Sequence, residues 1–174
     1  MNKIYFNVGD TNFLALVNKD TYNSFVDEDW ELPMLNEHWD KEAKKGNILV
    51  FGMTEEGIET DWTIGIEYGE SNIEKFYRRT IGYIKVTKGA LNFVEYTCLT
   101  MAAQFEDNKV PDEYCEPFSI EIENGLYKVE VVQYSNVDSE EHIGNEEIDI
   151  QFNFIKQKDE NVLENNNGLY WFEV

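Results

Sequence analysis

Phe118-Ser119-Ile120-Glu121-Ile122-Glu123 and Leu126-Tyr127-Lys128-Val129-Glu130-Val131 flank the pair Asn124-Gly125. Strict alternation of apolar and polar residues is the signature of a strand with one buried face. Asn-Gly tolerates positive φ at both central positions of a two-residue turn, so the stretch predicts a type I′ β-hairpin. Phe118, Ile120 and Ile122 fall on one side and Ser119, Glu121 and Glu123 on the other. A sheet with one dry and one wet face is the usual antiparallel arrangement.

The same reasoning extends outward. Residues 4–8 and 13–17 are β-rich runs separated by Gly9-Asp10-Thr11-Asn12, and residues 47–52 and 62–66 flank a polar, glycine-containing loop, so two further hairpins are expected. Residues 75–87 and 90–101 carry many β-branched and aromatic residues around a Lys88-Gly89 turn. They predict two long strands, the second supported by the alternation of Phe93, Glu95 and Thr97. Residues 104–117 are polar, contain Pro111 and Pro117, and read as an exposed loop. Residues 148–155 alternate again, and after an Asn-rich loop residues 169–174 form a last apolar run. Helical spacing occurs once, from Leu32 through Trp39, with Pro33 suited to the first turn and Lys44-Lys45-Gly46 to the end. The expected fold is mostly β: an antiparallel two-sheet sandwich with one helix near the N-terminal third, forming a single domain over residues 1–174.

The 174 residues include 35 acidic against 14 basic side chains, a formal net charge of -21. That far exceeds the magnitude of about 2–8 usual for a small soluble domain. Such a field repels phosphate backbones and anionic membranes, so neither nucleic acid nor membrane is an expected direct partner, whereas a basic protein is. No stretch reaches the ~20 apolar residues of a membrane helix, and the N-terminal run turns at Gly9-Asp10 before a signal-type apolar segment develops. A cytoplasmic location is expected. Cys98 and Cys115 belong to no CxxC or Cys/His pattern and read as reduced thiols, Cys98 in an apolar run and Cys115 exposed beside Pro117.

Catalytic machinery is not evident. His38 and His142 are the two side chains able to titrate near neutrality, and neither lies in a hydrolase or metalloprotease motif. The glycines form no phosphate-binding loop, so no cofactor is expected, and the chain reads as a non-enzyme. Acidic loop clusters at Asp27/Glu28/Asp29, Asp112/Glu113 and Asp138/Glu140/Glu141 have calcium-type oxygens but no EF-hand spacing, so no specific metal site is expected. Of the four tryptophans, Trp62 and Trp171 sit in strand-like runs, while Trp30 stands among acids as an aromatic anchor of the kind used at interfaces.

Residues 83–134, through Val86-Thr87-Lys88-Gly89-Ala90-Leu91 and the alternating stretch quoted above, resemble the competence protein J type of DNA-entry nuclease inhibitor from bacteria. That resemblance implies a small acidic β protein that binds and silences a nuclease. Combined with the charge, it points to a non-enzymatic inhibitor or toxin immunity protein that caps a basic partner. The expected contacts are Asp27, Glu28, Asp29, Trp30 and Glu31, together with Asp138, Glu140 and Glu141. A second reading is a calcium-dependent or carbohydrate-binding β module.

Overall fold

A computed structural model describes residues 1–172, so Glu173 and Val174 of the expected last strand lie outside the described residues. The elements in chain order are β1 (Asn2–Phe6), β2 (Phe13–Val17), α1 (Leu32–Lys44), β3 (Ile48–Gly52), β4 (Trp62–Tyr68), β5 (Arg78–Val86), β6 (Ala90–Val94), α2 (Tyr96–Gln104), β7 (Ser119–Glu121), β8 (Gly125–Gln133), β9 (Ser135–Asn136), β10 (Glu141–His142), β11 (Ile150–Gln157), a 3₁₀ helix (Glu160–Asn165) and β12 (Leu169–Tyr170). The fold is mostly β, 36% strand against 16% helix.

Two five-stranded sheets run in the orders β1-β4-β11-β8-β5 and β12-β3-β2-β6-β7, with β9 and β10 forming a separate small ribbon. Neither large sheet is purely antiparallel, which corrects the expectation from sequence: β11 pairs parallel to β4, and β12 parallel to β3. The alternating faces hold, since Ile120 and Ile122 are buried while Ser119, Glu121 and Glu123 are exposed.

The expected hairpin at Asn124-Gly125 does not exist. β7 pairs with β6 and β8 with β5, so the chain passes from one sheet to the other at that turn. The Lys88-Gly89 turn makes the reverse crossing beside it. The Gly89 N–H donates to Asn124 Oδ1 at 2.7 Å and the Ile122 N–H to the Gly89 carbonyl at 3.0 Å. Gly89 takes φ 70°, in the left-handed region that favours glycine, and Gly125 takes φ 152°. β5–β6 and β7–β8 therefore form one long antiparallel ribbon bent across both sheets. The other two apparent hairpins cross as well: β1 pairs with β4 whereas β2 pairs with β3 and β6.

The largest apolar cluster draws on both sheets. Ile64, Ile84, Val129, Val131 and Phe152 of the first meet Leu14, Leu16, Leu49, Phe51 and Phe93 of the second. Phe152 stands at its centre, its ring 5.0 Å from that of Phe93 and 5.6 Å from that of Phe51. A second cluster covers the opposite face of β2 and β3, where Ala15, Val17, Ile48 and Val50 pack under Leu35 and Trp39 of α1 and Cys98, Leu99 and Ala103 of α2.

α2 replaces the C-terminal part of the strand expected over residues 90–101, and with the 3₁₀ helix it corrects the expectation of one helix. Its start explains the difference. Glu95 is not an outward strand residue but the N-cap, 3% exposed. Its carboxylate accepts N–H bonds from Thr97, Cys98 and Asp10, each at 2.7 Å. Among the described residues, no helix is long and apolar enough to cross a membrane.

Replacing Glu95 with Ala strips three buried or half-buried N–H groups of their acceptor. The Glu95→Ala variant is expected to lose about 2–4 kcal/mol of stability. Urea denaturation followed by circular dichroism measures it, and a loss under about 1 kcal/mol would refute the role given to this carboxylate.

Candidate functional site

The acidic residues expected to meet a partner fall on two separately anchored segments. Residues 27–31 lead into α1. The N–H groups of Val26 and Asp27 donate to the Ala103 carbonyl of α2 at 2.9 and 3.2 Å, and Asp27 Oδ1 accepts from the Asp29 N–H at 2.8 Å. Asp27, Glu28, Asp29 and Glu31 are exposed, but Trp30 is half-buried and packs against the cluster beneath α1 and α2. Trp30 is thus tied to the interior more than offered to solvent.

The approach to this segment is fixed on α1. His38 Nε2 lies 2.6 Å from the Asn23 carbonyl, an acceptor, so this nitrogen carries the proton. The buried Glu42 carboxylate accepts from the Asn23 N–H at 3.1 Å, from Asn47 Nδ2 at 2.7 Å and from Lys45 Nζ at 2.5 Å. Burial alone would raise the Glu42 carboxyl, but the bonds from Lys45, Asn47 and Asn23 together hold it below the usual carboxylate range.

The second segment, residues 138–141, joins β9 to β10. Asp138 Oδ2 and Oδ1 accept the N–H groups of Glu55 and Glu56, each at 2.9 Å. The β9–β10 turn is thereby locked onto the loop after β3, adding the exposed carboxylates of Glu55 and Glu56 to those of Glu140 and Glu141. Glu140 holds φ 55°, left-handed backbone that a non-glycine residue adopts at a cost of order 1–3 kcal/mol. A shallow groove of about 430 Å³ runs along this surface between Ile58 and Ser135, Asn136, Val137, Glu140, Glu141 and His142. Ile58 is 41% exposed, an apolar spot within an acidic rim.

His142 fastens its loop. Its Nε2 faces the carbonyls of Asn145 and Ile148 at 2.5 and 3.1 Å, so that nitrogen donates, and Nδ1 stands 4.0 Å from Asp149 Oδ1. Beneath the patch, the Arg78 guanidinium donates to the carbonyls of Gly52 and Met53 and to Gln133 Oε1, and lies 4.4 Å over the Trp171 ring. Burial lowers the Arg78 pKa from its ordinary value, while Tyr77, Glu55 and Asp138 oppose that shift.

Elsewhere lysines answer the acids. Lys3 pairs with Glu147, Lys41 with Glu37, Lys44 with Asp40, Lys85 with Glu160, Lys88 with Asp20 and Lys156 with Glu123. Among the described residues, no ion pair reaches the carboxylates at positions 27–31, 55, 56 or 138–141.

Glu55, Glu56 and Ile58 were not identified from the sequence, because their place in the patch depends on the Asp138 bonds across 80-odd residues. Trp39 and Trp62 are fully buried, the latter donating Nε1–H to the Thr11 carbonyl at 2.7 Å, so neither ring is offered to a carbohydrate. Cys115, expected to be exposed, is 0% exposed and lies beside Cys98. The loop that carries it folds back onto α2.

The sequence matches no family model, and no curated protein matches it. The crystal structure of ComJ from Bacillus subtilis, described as an inhibitor of the DNA-degrading activity of NucA, is similar in fold. The TM-score is 0.51 over 90% of this chain and 96% of that one, at 10% sequence identity. The likeness therefore extends well beyond residues 83–134, where the sequence resemblance lies.

Two outcomes are expected. Asp138→Ala removes both amide bonds, so exchange at the Glu55 and Glu56 amides should accelerate by about tenfold or more, with about 1–2 kcal/mol lost overall. Unchanged protection would show the loop to be held by other contacts. Because the folded pKa of Glu42 is depressed, its contribution is present above the ordinary carboxylate range and lost as pH falls through the folded value. Glu42→Gln should therefore be less stable than wild type at neutral pH, and the difference should shrink on acidification. Thermal melts between neutral and acidic pH test the sign.

Proposed function

We propose that this chain is a non-enzymatic inhibitor of a DNA-degrading nuclease, and that it binds its target through the acidic surface formed by Asp138, Glu140, Glu141, Glu55 and Glu56. The observation that carries the proposal is the likeness in fold to the nuclease inhibitor ComJ along 90% of the chain. The net charge of -21 supports it, since a nuclease must present cations where DNA phosphates bind. Among the described residues, the carboxylates on this surface make no ion pair and can occupy such a site in place of phosphate. Residues 27–31 form a second acidic contact on this reading, with Trp30 bracing the segment from behind.

Residues 1–174 would act as one domain, with the two large sheets stacked as a sandwich, so that partner binding needs no rearrangement between parts. The two free buried cysteines suit a reducing compartment, in keeping with a cytoplasmic site of action and with a nuclease or nuclease-type toxin as the partner. The partner's basic character belongs to the same proposal, because the electrostatic argument requires it.

Inhibition is tested with purified bacterial DNA nucleases, including any encoded beside this chain's gene, in a DNA-degradation assay. Stoichiometric inhibition should appear at low salt and weaken as salt screens the surface. The Glu140→Lys/Glu141→Lys double variant should lose about tenfold or more in association rate while remaining folded. Inhibition insensitive to both salt and this charge reversal would sink the acidic-surface reading, and no inhibition of any nuclease tried would sink the inhibitor reading itself.

A further inference from the structure

The two cysteines and one carboxylate from separate segments converge at the base of α2. Cys98 lies in the first turn of α2 and is 2% exposed, and Cys115 closes the polar loop after it. Their Sγ atoms and a carboxylate oxygen of Asp112 all lie within 4.8 Å of one another. Two buried thiols alone would read as small core residues. A carboxylate oxygen within the same 4.8 Å sphere adds a third potential ligand atom of a different kind.

The local geometry keeps Asp112 in place. Its Oδ1 accepts the Cys115 N–H at 2.8 Å, and its carbonyl accepts the Glu116 N–H at 2.9 Å, leaving the second carboxylate oxygen uncommitted. A groove of about 320 Å³, lined by Cys98, Met101, Asp107, Lys109, Asp112 and Glu113, leads to the cluster from solvent. Asp107 and Glu113 give that entrance a negative field, opposed by Lys109 alone among the lining residues.

We propose that Cys98, Cys115 and Asp112 form a binding site for one thiophilic divalent cation of the zinc class, with the fourth position open to water from the groove. Tetrahedral zinc with bonds of about 2.0–2.3 Å places its ligand atoms about 3.7 Å apart, so the three atoms need close by roughly an ångström or less. Thiolate sulfur selects zinc or cadmium over calcium and magnesium, which prefer oxygen ligands. On binding, two S–H bonds break, both sulfur lone pairs coordinate the cation and the two protons leave to solvent. The bound ion would tie residues 105–118 to α2. This site is independent of the nuclease-inhibitor reading and lies on a different loop from residues 138–141.

The test uses the full chain, reduced and freed of metal, titrated with cadmium. A sulfur-to-metal charge-transfer band should rise to a plateau at one equivalent, the melting temperature should increase, and a chelator should reverse both. Cys115→Ser should abolish the band, and Asp112→Asn should weaken cadmium binding about tenfold or more. The wild-type titration decides the matter even if a cysteine variant fails to fold. No thiolate band in excess cadmium, or a band that Asp112→Asn leaves equally tight, would overturn the three-ligand site.

Discussion

A carboxylate taken out of water must find hydrogen-bond donors or lose its charge, and Glu95 meets this demand with three N–H groups from two distant segments. One of them, Asp10, lies where the chain first crosses between the large sheets; the other two open α2. Gly9 completes the junction. It takes φ 65°, and a Cβ there would overlap the Glu95 carboxylate. The position of α2 on the outer face of the second sheet, and with it the floor beneath residues 26–31, follows from this one buried charge.

Strands and their buried faces were legible from residue alternation, because burial acts on each side chain wherever its strand pairs. Partners were not. A tight turn needs the same residues whether the next strand returns beside the last one or enters the facing sheet, so Gly89 and Asn124-Gly125 signalled turns correctly and hairpins wrongly. Side-chain pairing between sheets, such as Phe152 against Phe51 and Phe93, selects the crossing, and no local window contains it. α2 was hidden for a different reason. Its cap is a glutamate, outside the usual set of Ser, Thr, Asp and Asn, and Thr97 and Thr100 suggest strand. Thr100 is accommodated because its hydroxyl donates back to the Tyr96 carbonyl at 2.9 Å.

The candidate surfaces were legible only as composition. Acidic runs at 27–31 and 138–141 could be named from the sequence, but Trp30 among acids is an aromatic packed inward, and Asp138 is an internal acceptor before it is a surface charge. Glu55, Glu56 and Ile58 join the second surface through tertiary bonds alone. The cysteines show the same limit. Metal-ligand spacing is recognised when ligands are close in sequence, whereas Cys98 and Cys115 are brought together by the fold of the loop between them.

Charge carried for solubility alone can be spread anywhere and needs no fixed geometry. The carboxylates around the β9–β10 turn are arranged otherwise: Asp138 is pinned by two backbone amides, and Glu140 is held in left-handed backbone. Crowding like charges on short, anchored loops opposes folding, because each carboxylate repels the next and the backbone cannot carry them apart. The same rigidity removes part of the ordering cost that a flexible acidic tail would meet on binding. On the proposed inhibitor reading, a surface that carries this repulsion when alone would be relieved of it when a cationic target approaches. On that reading it is this local arrangement, more than the total of -21, that a nuclease target would meet.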